Sequence, residues 1–168
     1  MSKKPTVALV MGSDSDFPAL RGCVKTLKDF GIEVIVRVIS AHRTPDAAAE
    51  FAKNARNNGI DIIIGAAGKA AHLPGVLAAF TTLPVIGVPM KSSTMDGLDS
   101  LLSIVQMPKG IPVATVAIDG GDNAAILSAN ILSLSYPEIA EKLIVFKKDM
   151  ETAVAAKDAK IQAEADAI

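Results

Sequence analysis

Ile32-Glu33-Val34-Ile35-Val36-Arg37-Val38-Ile39-Ser40-Ala41-His42-Arg43-Thr44-Pro45 reads as a strand handing over to a helix. The run Ile32 to Ile39 is rich in β-branched residues, and an alanine-rich helical run begins at Pro45. Between them stand a hydroxyl, an imidazole, a guanidinium and a second hydroxyl. In an open parallel sheet, ligands sit outside the carboxyl ends of the strands, so a strand-to-helix turn bearing these groups is where chemistry is expected. His42 and Arg43 are adjacent and cannot both be core residues. Together they point to an anionic ligand held by Arg43 and helix-terminal amides, beside a group able to carry a proton near neutral pH.

The same alternation recurs on both sides of this stretch. Thr6 to Met11 is a continuous apolar run that ends at Gly12, followed by Ser13-Asp14-Ser15-Asp16 and a helix to about Phe30, where Gly31 supplies the stop. Ser and Asp in that turn suit helix capping, by accepting hydrogen bonds from free first-turn amides. The second helix runs from Pro45 to about Asn58, and Asn57-Asn58-Gly59 marks the turn that closes it. Ile60 to Ile64 is a third strand that opens into the small-residue loop Gly65 to Gly75, with a helix starting near His72 and Pro74 in its first turn. Val85 to Val88 is a short fourth strand, Met90 to Gly97 a polar and flexible segment, and Leu98 to Gln106 a helix with apolar residues at Leu98, Leu101, Leu102 and Val105. Val113 to Ile118 is the fifth strand. Asp119-Gly120-Gly121-Asp122-Asn123 then leads into a helix through about Leu134. Strand and helix alternate throughout, which calls for a three-layer αβα sandwich around a parallel sheet.

With 168 residues the chain fits one domain spanning 1–168. Half its residues are hydrophobic but only 4% are aromatic, so the core must be built from Val, Ile, Leu and Ala, as buried parallel strands under small-faced helices require. A formal net charge of -1 without a basic block leaves no electrostatic footprint for nucleic acid or an anionic membrane. The expected partner is small. The single cysteine, Cys23, cannot form an internal disulfide, and Met-Ser-Lys-Lys-Pro lacks the apolar region of a signal peptide, which together favour a cytoplasmic location. No window approaches ~18 uninterrupted apolar residues, so no transmembrane helix is expected.

The segment 137–168 behaves differently. Ile139, Leu143, Phe146, Met150 and Val154 recur every three or four positions, forming one narrow stripe on a long C-terminal helix. A stripe that outruns its own core needs another surface, so this helix is expected to pack on a neighbouring subunit, with a frayed end beyond about Lys157. The alternative is a helix folded back on its own sheet.

Three turns offer groups for binding or catalysis. The first, Gly12 to Asp16, presents amides and hydroxyls that suit a phosphate, but its carboxylates would repel one, so Asp16 is better matched to neutral hydroxyls such as those of a ribose. It lacks the glycine patterns of dinucleotide and P-loop sites. The second holds Ser40, His42 and Arg43. The third, Gly65 to Ala71, is small apart from Lys69, so its backbone can approach a ligand and present amides to a carboxylate or carbon dioxide; tight strand-to-helix packing explains the same residues. The chain has two histidines, His42 and His72, each just past a strand's carboxyl end. No Cys/His/carboxylate cluster has metal spacing, no Ser/His/Asp order reads as a triad, and Cys23 reads as a small buried hydrophobe.

Taken together, Gly12-Ser13-Asp14-Ser15-Asp16, Ser40-Ala41-His42-Arg43-Thr44-Pro45, Ala70-Ala71-His72-Leu73-Pro74-Gly75 and Asp99-Ser100-Leu101-Leu102-Ser103-Ile104-Val105-Gln106-Met107-Pro108 resemble the N5-carboxyaminoimidazole ribonucleotide mutase family, the class I phosphoribosylaminoimidazole carboxylases. The likeness runs in order from Val7 to Leu132. It implies a flavodoxin-like sheet, a homo-octamer, and a step of de novo purine (IMP) biosynthesis. That step moves a carboxylate from an exocyclic nitrogen to ring carbon C4 without metal, biotin or ATP. By the resemblance, Ser13, Ser40 and Arg43 would hold the phosphate or adjoining ribose, Asp16 the ribose hydroxyls, and His42 would be the general acid and base. His72 and the small loop, with Gly68 and Ala70, would line the carboxylate end and the carbon dioxide. Two features depart from the pattern. Ala66-Ala67-Gly68-Lys69 stands where the family usually has a glycine-richer Gly-Ala-Gly-Gly, and the loop 119–123 is shorter than in many members.

Two other readings share these elements. A class II carboxylase would use free carbon dioxide on the unsubstituted aminoimidazole ribonucleotide, and the pattern Ser-Ala-His-Arg-Thr-Pro favours the mutase over it. A non-catalytic flavodoxin-like module would bind FMN or accept a phosphoryl group. Zero Trp and one Tyr disfavour a flavin, and Ile64-Gly65 in place of an Asp at the end of the third strand disfavours a receiver.

Overall fold

In the computed structural model, which describes residues 3–168, five strands run parallel. They are β1 (Thr6–Met11), β2 (Glu33–Val38), β3 (Ile62–Gly68), β4 (Val85–Met90) and β5 (Ala114–Thr115), and they form one sheet in the order β2-β1-β3-β4-β5. The helices α1 (Phe17–Asp29), α5 (Gly121–Leu132) and α6 (Pro137–Asp166) lie on one face. On the other lie α2 (Pro45–Asn54), α3 (Leu73–Phe80) and α4 (Leu98–Val105). This is the expected αβα sandwich with a flavodoxin-like sheet and a long C-terminal helix.

Strand alternation explains the two cores. Val7, Leu9 and Met11 of β1 point toward α1 and α5, while Ala8 and Val10 point toward α2 and α3. The central strands β1 and β4 are buried along their whole length, as a sheet covered on both faces demands. Strand β2 lies at the edge instead, which leaves Val36 and Val38 partly exposed despite their apolar character. Gly65 and Gly87 are cross-strand partners in β3 and β4. A Cβ at Gly65 would sit 3.1 Å from Pro74 Cα, and one at Gly87 would sit 2.4 Å from Ile104 Cγ2. The paired glycines thus form a shallow trough into which α3 and α4 settle.

Several boundaries differ from the sequence expectation. Strand β3 does not stop at Ile64 but continues through Gly65 to Gly68, because those residues pair with β1 on one side and β4 on the other. Neighbouring strands here override the low β-propensity of glycine and alanine. Helix α2 stops at Asn54, four residues short of the expected end. Strand β5 shrinks to two residues at the edge, although Val116 N and Asp119 N still donate to the carbonyls of Gly87 and Pro89 farther along β4. Helix α4 turns Ser100 and Ile104 inward and leaves Leu98, Leu102 and Val105 half-exposed.

Helix α6 divides in two. Ile139 and Leu143 are buried, and Phe146 meets Phe30 edge-on with ring centroids 5.7 Å apart, so the first half does fold back on its own domain. From Met150 onward the stripe residues Met150, Val154 and Ile161 are exposed. The expected fraying beyond Lys157 does not occur. The helix continues to Asp166, with alanine-rich sequence and the i,i+4 pairs Lys160–Glu164 at 3.7 Å and Gln162–Asp158 at 2.9 Å supporting the last turns.

Candidate active site

The carboxyl ends of β1, β2, β3 and β4 open onto one cavity of about 560 Å³. Ser13 and Asp16 follow β1, Ser40, His42 and Arg43 follow β2, Gly68 ends β3, and Ala70 and His72 follow it; all eight line this cavity. Residues separated by up to sixty positions in sequence are therefore gathered by the parallel sheet alone.

After β1, Ser13 organises the turn. Its Oγ accepts hydrogen bonds from Ser15 Oγ at 2.8 Å and from Ser15 N at 3.3 Å, capping the 3-10 turn Asp14–Asp16. The expected capping role falls to Ser13, since Asp16 precedes α1 but makes no side-chain cap bond, and its carboxyl lines the cavity instead. Burial is the main influence on that carboxyl and raises its pKa above the ordinary 3.8. A hydrogen bond from the Ser13 backbone opposes this, and the carboxylates of Asp119 and Asp14 add to it.

After β2 the chain folds over itself through Ser40 and Thr44. Ser40 N donates to Thr44 Oγ1 at 3.0 Å, and Thr44 N donates to Ser40 O at 2.9 Å. Ser40 Oγ accepts from Arg43 N at 3.2 Å and from Arg43 Nε at 3.4 Å. Arg43 Nη2 then reaches Gly12 O at 3.2 Å, tying this turn to the one after β1. The guanidinium has donors left over, facing the same cavity as Ser13 and Ser40.

After β3, Lys69 takes a positive φ of 56°. Its N–H donates to Ser100 Oγ at 2.8 Å, and its carbonyl lies 3.4 Å from Ser103 Oγ, whose single hydrogen is given to Asp99 O at 2.7 Å. This turn delivers His72 to the N-cap of α3, where its Nδ1 lies 2.8 Å from His42 Nε2. The two rings meet edge-on at 4.9 Å between centroids. One nitrogen must donate and the other accept, so each ring constrains the tautomer of its neighbour.

A fourth wall comes from residues that the sequence reading passed over, Lys91, Ser92 and Ser93. They directly follow β4, and the carboxyl-end rule applied to the fourth strand would have found them. The expected flexible segment is instead arranged around the buried Ser92, which donates to Asp99 Oδ1 at 2.7 Å and accepts from the N–H groups of Thr94 and Met95, each at 3.3 Å. Lys91 N donates to Asp119 Oδ1 at 2.8 Å, and its ammonium pairs with Asp96 at 3.2 Å.

Among the described residues, no three His, Cys, Asp or Glu side chains converge as a metal-ligand set. The site instead combines a cationic and hydroxyl-bearing wall beside β1 and β2, an imidazole pair at the centre, and a wall of small residues beside β3. Such an arrangement can hold an anion at one end and exchange a proton at the other.

The chain is similar to known proteins over most of its length. A family model described as AIR carboxylase matches residues 6–153. The N5-carboxyaminoimidazole ribonucleotide mutase of Pyrococcus abyssi is 59% identical over 147 residues, covering 88% of this chain and 84% of the relative. That of Pyrococcus horikoshii is 55% identical over 161 residues, covering 96% and 91%. The Thermotoga maritima mutase is 54% identical over 158 residues, covering 94% and 92%. A crystal structure of Treponema denticola PurE superposes with a TM-score of 0.84 at 31% identity, over 94% of this chain and 98% of that one.

Proposed function

The chain belongs to the AIR carboxylase family, and on that premise we propose that it is a mutase converting N5-carboxyaminoimidazole ribonucleotide to 4-carboxy-5-aminoimidazole ribonucleotide in de novo purine biosynthesis. The observation that carries this reading is the position of His42. It stands between Arg43, with the hydroxyls of Ser13 and Ser40, and the small-residue wall Gly68–His72 of one cavity.

Arg43, Ser13 and Ser40 hold the phosphate and adjoining ribose, through charge-assisted hydrogen bonds from the guanidinium and neutral ones from the hydroxyls. Asp16 accepts from the ribose hydroxyls. His42 protonates the exocyclic nitrogen, the bond from that nitrogen to the carboxyl carbon breaks, and carbon dioxide is released into the cavity. Ring carbon C4, enamine-like, attacks the carbon dioxide and forms the new carbon–carbon bond. His42 then takes the proton from C4 and returns to its starting state, so no proton, electron or water is consumed. Carbon dioxide must not escape between these steps. The backbone of Ala67, Gly68 and Ala70 and the side chain of Leu73 provide a close, weakly hydrated wall for it.

The working form is a cytoplasmic homo-oligomer, an octamer, in which the distal half of α6 packs on a neighbouring subunit. Its exposed stripe Met150, Val154 and Ile161 supports this. No helix among the described residues is long and apolar enough to cross a membrane.

An ultraviolet assay of ribonucleotide rearrangement tests the activity. The N5-carboxylated ribonucleotide should be converted without added bicarbonate, and the unsubstituted aminoimidazole ribonucleotide should not be carboxylated when bicarbonate is supplied. The opposite pattern would make the protein a carboxylase of free carbon dioxide.

A further inference from the structure

Lys69 is a residue whose conformation and chemistry pull in different directions. At a φ of 56° its backbone lies in the left-handed region, where glycine fits without strain and any residue with a Cβ does not. The fold holds it there nonetheless. Ser100, fully buried on α4, accepts from its N–H at 2.8 Å. Non-glycine residues kept in such conformations by their surroundings concentrate at sites where the side chain is used.

Lys69 is one of the residues that line the cavity, and its charge is unspent. Of the three cations there, Arg43 is tied to Ser40 and to the Gly12 carbonyl, and Lys91 is paired with Asp96. Among the described residues, Lys69 has no ion-pair partner. It stands on the turn after β3, whereas Arg43 stands on the turn after β2, and it comes three positions before His72, whose ring touches His42. The mutase reading requires His42 to be next to the migrating carboxylate at both its origin and its destination. Lys69 is therefore the cation carried by the loop that the mutase reading gives to the carboxylate, as Arg43 is the cation of the turn it gives to the phosphate.

We propose that Lys69 is a specificity-determining residue that recognises the carboxylate carried by the ribonucleotide, so that the site favours carboxylated ribonucleotides over the unsubstituted one. This rests on the mutase reading given above. Substrate and product both carry the anionic group while the carbon dioxide between them is neutral, so the contact acts on binding of the two ground states, and its loss weakens binding without slowing the chemical step.

The test compares Lys69→Gln, Lys69→Arg and Lys69→Gly with the wild type. In Lys69→Gln, KM for the N5-carboxylated substrate and the inhibition constant of the carboxylated product should both rise about five- to tenfold, with kcat unchanged or raised. Affinity for the unsubstituted aminoimidazole ribonucleotide should stay unchanged, and Lys69→Arg should restore most of the loss. Lys69→Gly should show the same KM defect with a Tm equal to or above that of the wild type, because glycine relieves the backbone. An unmoved KM in Lys69→Gln overturns the proposal, and so does an equal loss of affinity for the unsubstituted ribonucleotide. A lowered Tm in Lys69→Gly would assign Lys69 to the framework and also overturn it. Wild-type turnover measured alongside separates the two levels. Its absence removes the mutase reading itself, whereas turnover with an indifferent Lys69→Gln removes only the carboxylate contact.

Discussion

His42 Nε2 and His72 Nδ1 lie 2.8 Å apart, so the chain's two imidazoles share one hydrogen bond across turns that follow different strands. His42 is thereby oriented by a group that is itself held at the N-cap of α3.

His42→Asn should leave ribonucleotide binding within about threefold of wild type, because the hydroxyls, Asp16 and Arg43 remain, while abolishing measurable turnover. His72→Phe keeps a ring of similar shape without the hydrogen bond. It should lower kcat about tenfold and change the shape of the kcat pH profile. A near-normal rate in His42→Asn would remove the proton-shuttle assignment, and an unaltered pH profile in His72→Phe would remove the orienting role.

Arg43→Ala should weaken substrate binding by about 10- to 100-fold, measured by titration calorimetry with a ribonucleotide. The substitution also cuts the link to the Gly12 carbonyl, so melting should be followed in parallel. Unchanged affinity with an unchanged Tm would contradict a phosphate contact.

Asp16→Asn tests the cost of holding a carboxyl in the cavity wall. The folded-state pKa of Asp16 is raised above 3.8, mainly by burial, so the folded protein holds that proton more tightly than the unfolded chain. Stability is therefore lost as pH rises through the folded pKa and is fully recovered only below 3.8. The variant should melt about 2 °C higher than wild type at pH 7, with the gain shrinking toward zero at about pH 4, while ribonucleotide binding weakens. A variant that melts lower at pH 7 would show that the Asp16 carboxylate stabilises the fold.

Cys23 lies wholly buried on α1, and burial, with a smaller push from Asp122, raises its pKa to about 12. Modification by a thiol reagent at pH 8 should be about a hundredfold slower in the native protein than in guanidinium, and native-state labelling should follow the unfolding rate. Fast labelling of the folded protein would mean that α1 and α5 separate readily.

Truncation after Lys148 keeps Ile139, Leu143 and Phe146 in the core and removes the exposed stripe from Met150 onward. The shortened chain should keep its circular dichroism spectrum but elute from a sizing column as a smaller species than the full-length assembly. Elution as the full-size assembly would exclude the distal half of α6 as a subunit contact.

The fold was legible because its central strands are short and uniformly apolar and its turns are marked by glycine, proline and asparagine. Period and punctuation are local properties, so Thr6 to Met11 and the start of α2 at Pro45 could be read directly. Strand ends were harder. Gly65 to Gly68 has no strand preference of its own and is extended only because β1 and β4 flank it, and Val113 to Ile118 has that preference but little partner to express it against.

The candidate site divides along the same line. Turn chemistry and the family resemblance pointed to Ser13, Asp16, Ser40, His42, Arg43, Gly68, Ala70 and His72, and the structure brings all eight to one cavity, since a turn that follows a strand is a one-dimensional signal. What the tertiary structure alone decided is which of these groups touch: the imidazoles that share a hydrogen bond, the guanidinium that reaches the neighbouring turn, and the buried serine of α4 that accepts from Lys69 in its glycine-like conformation. Those relationships depend on the order in which strands lie side by side and on where a glycine trough lets two helices settle. Neither is a property of any single stretch of sequence.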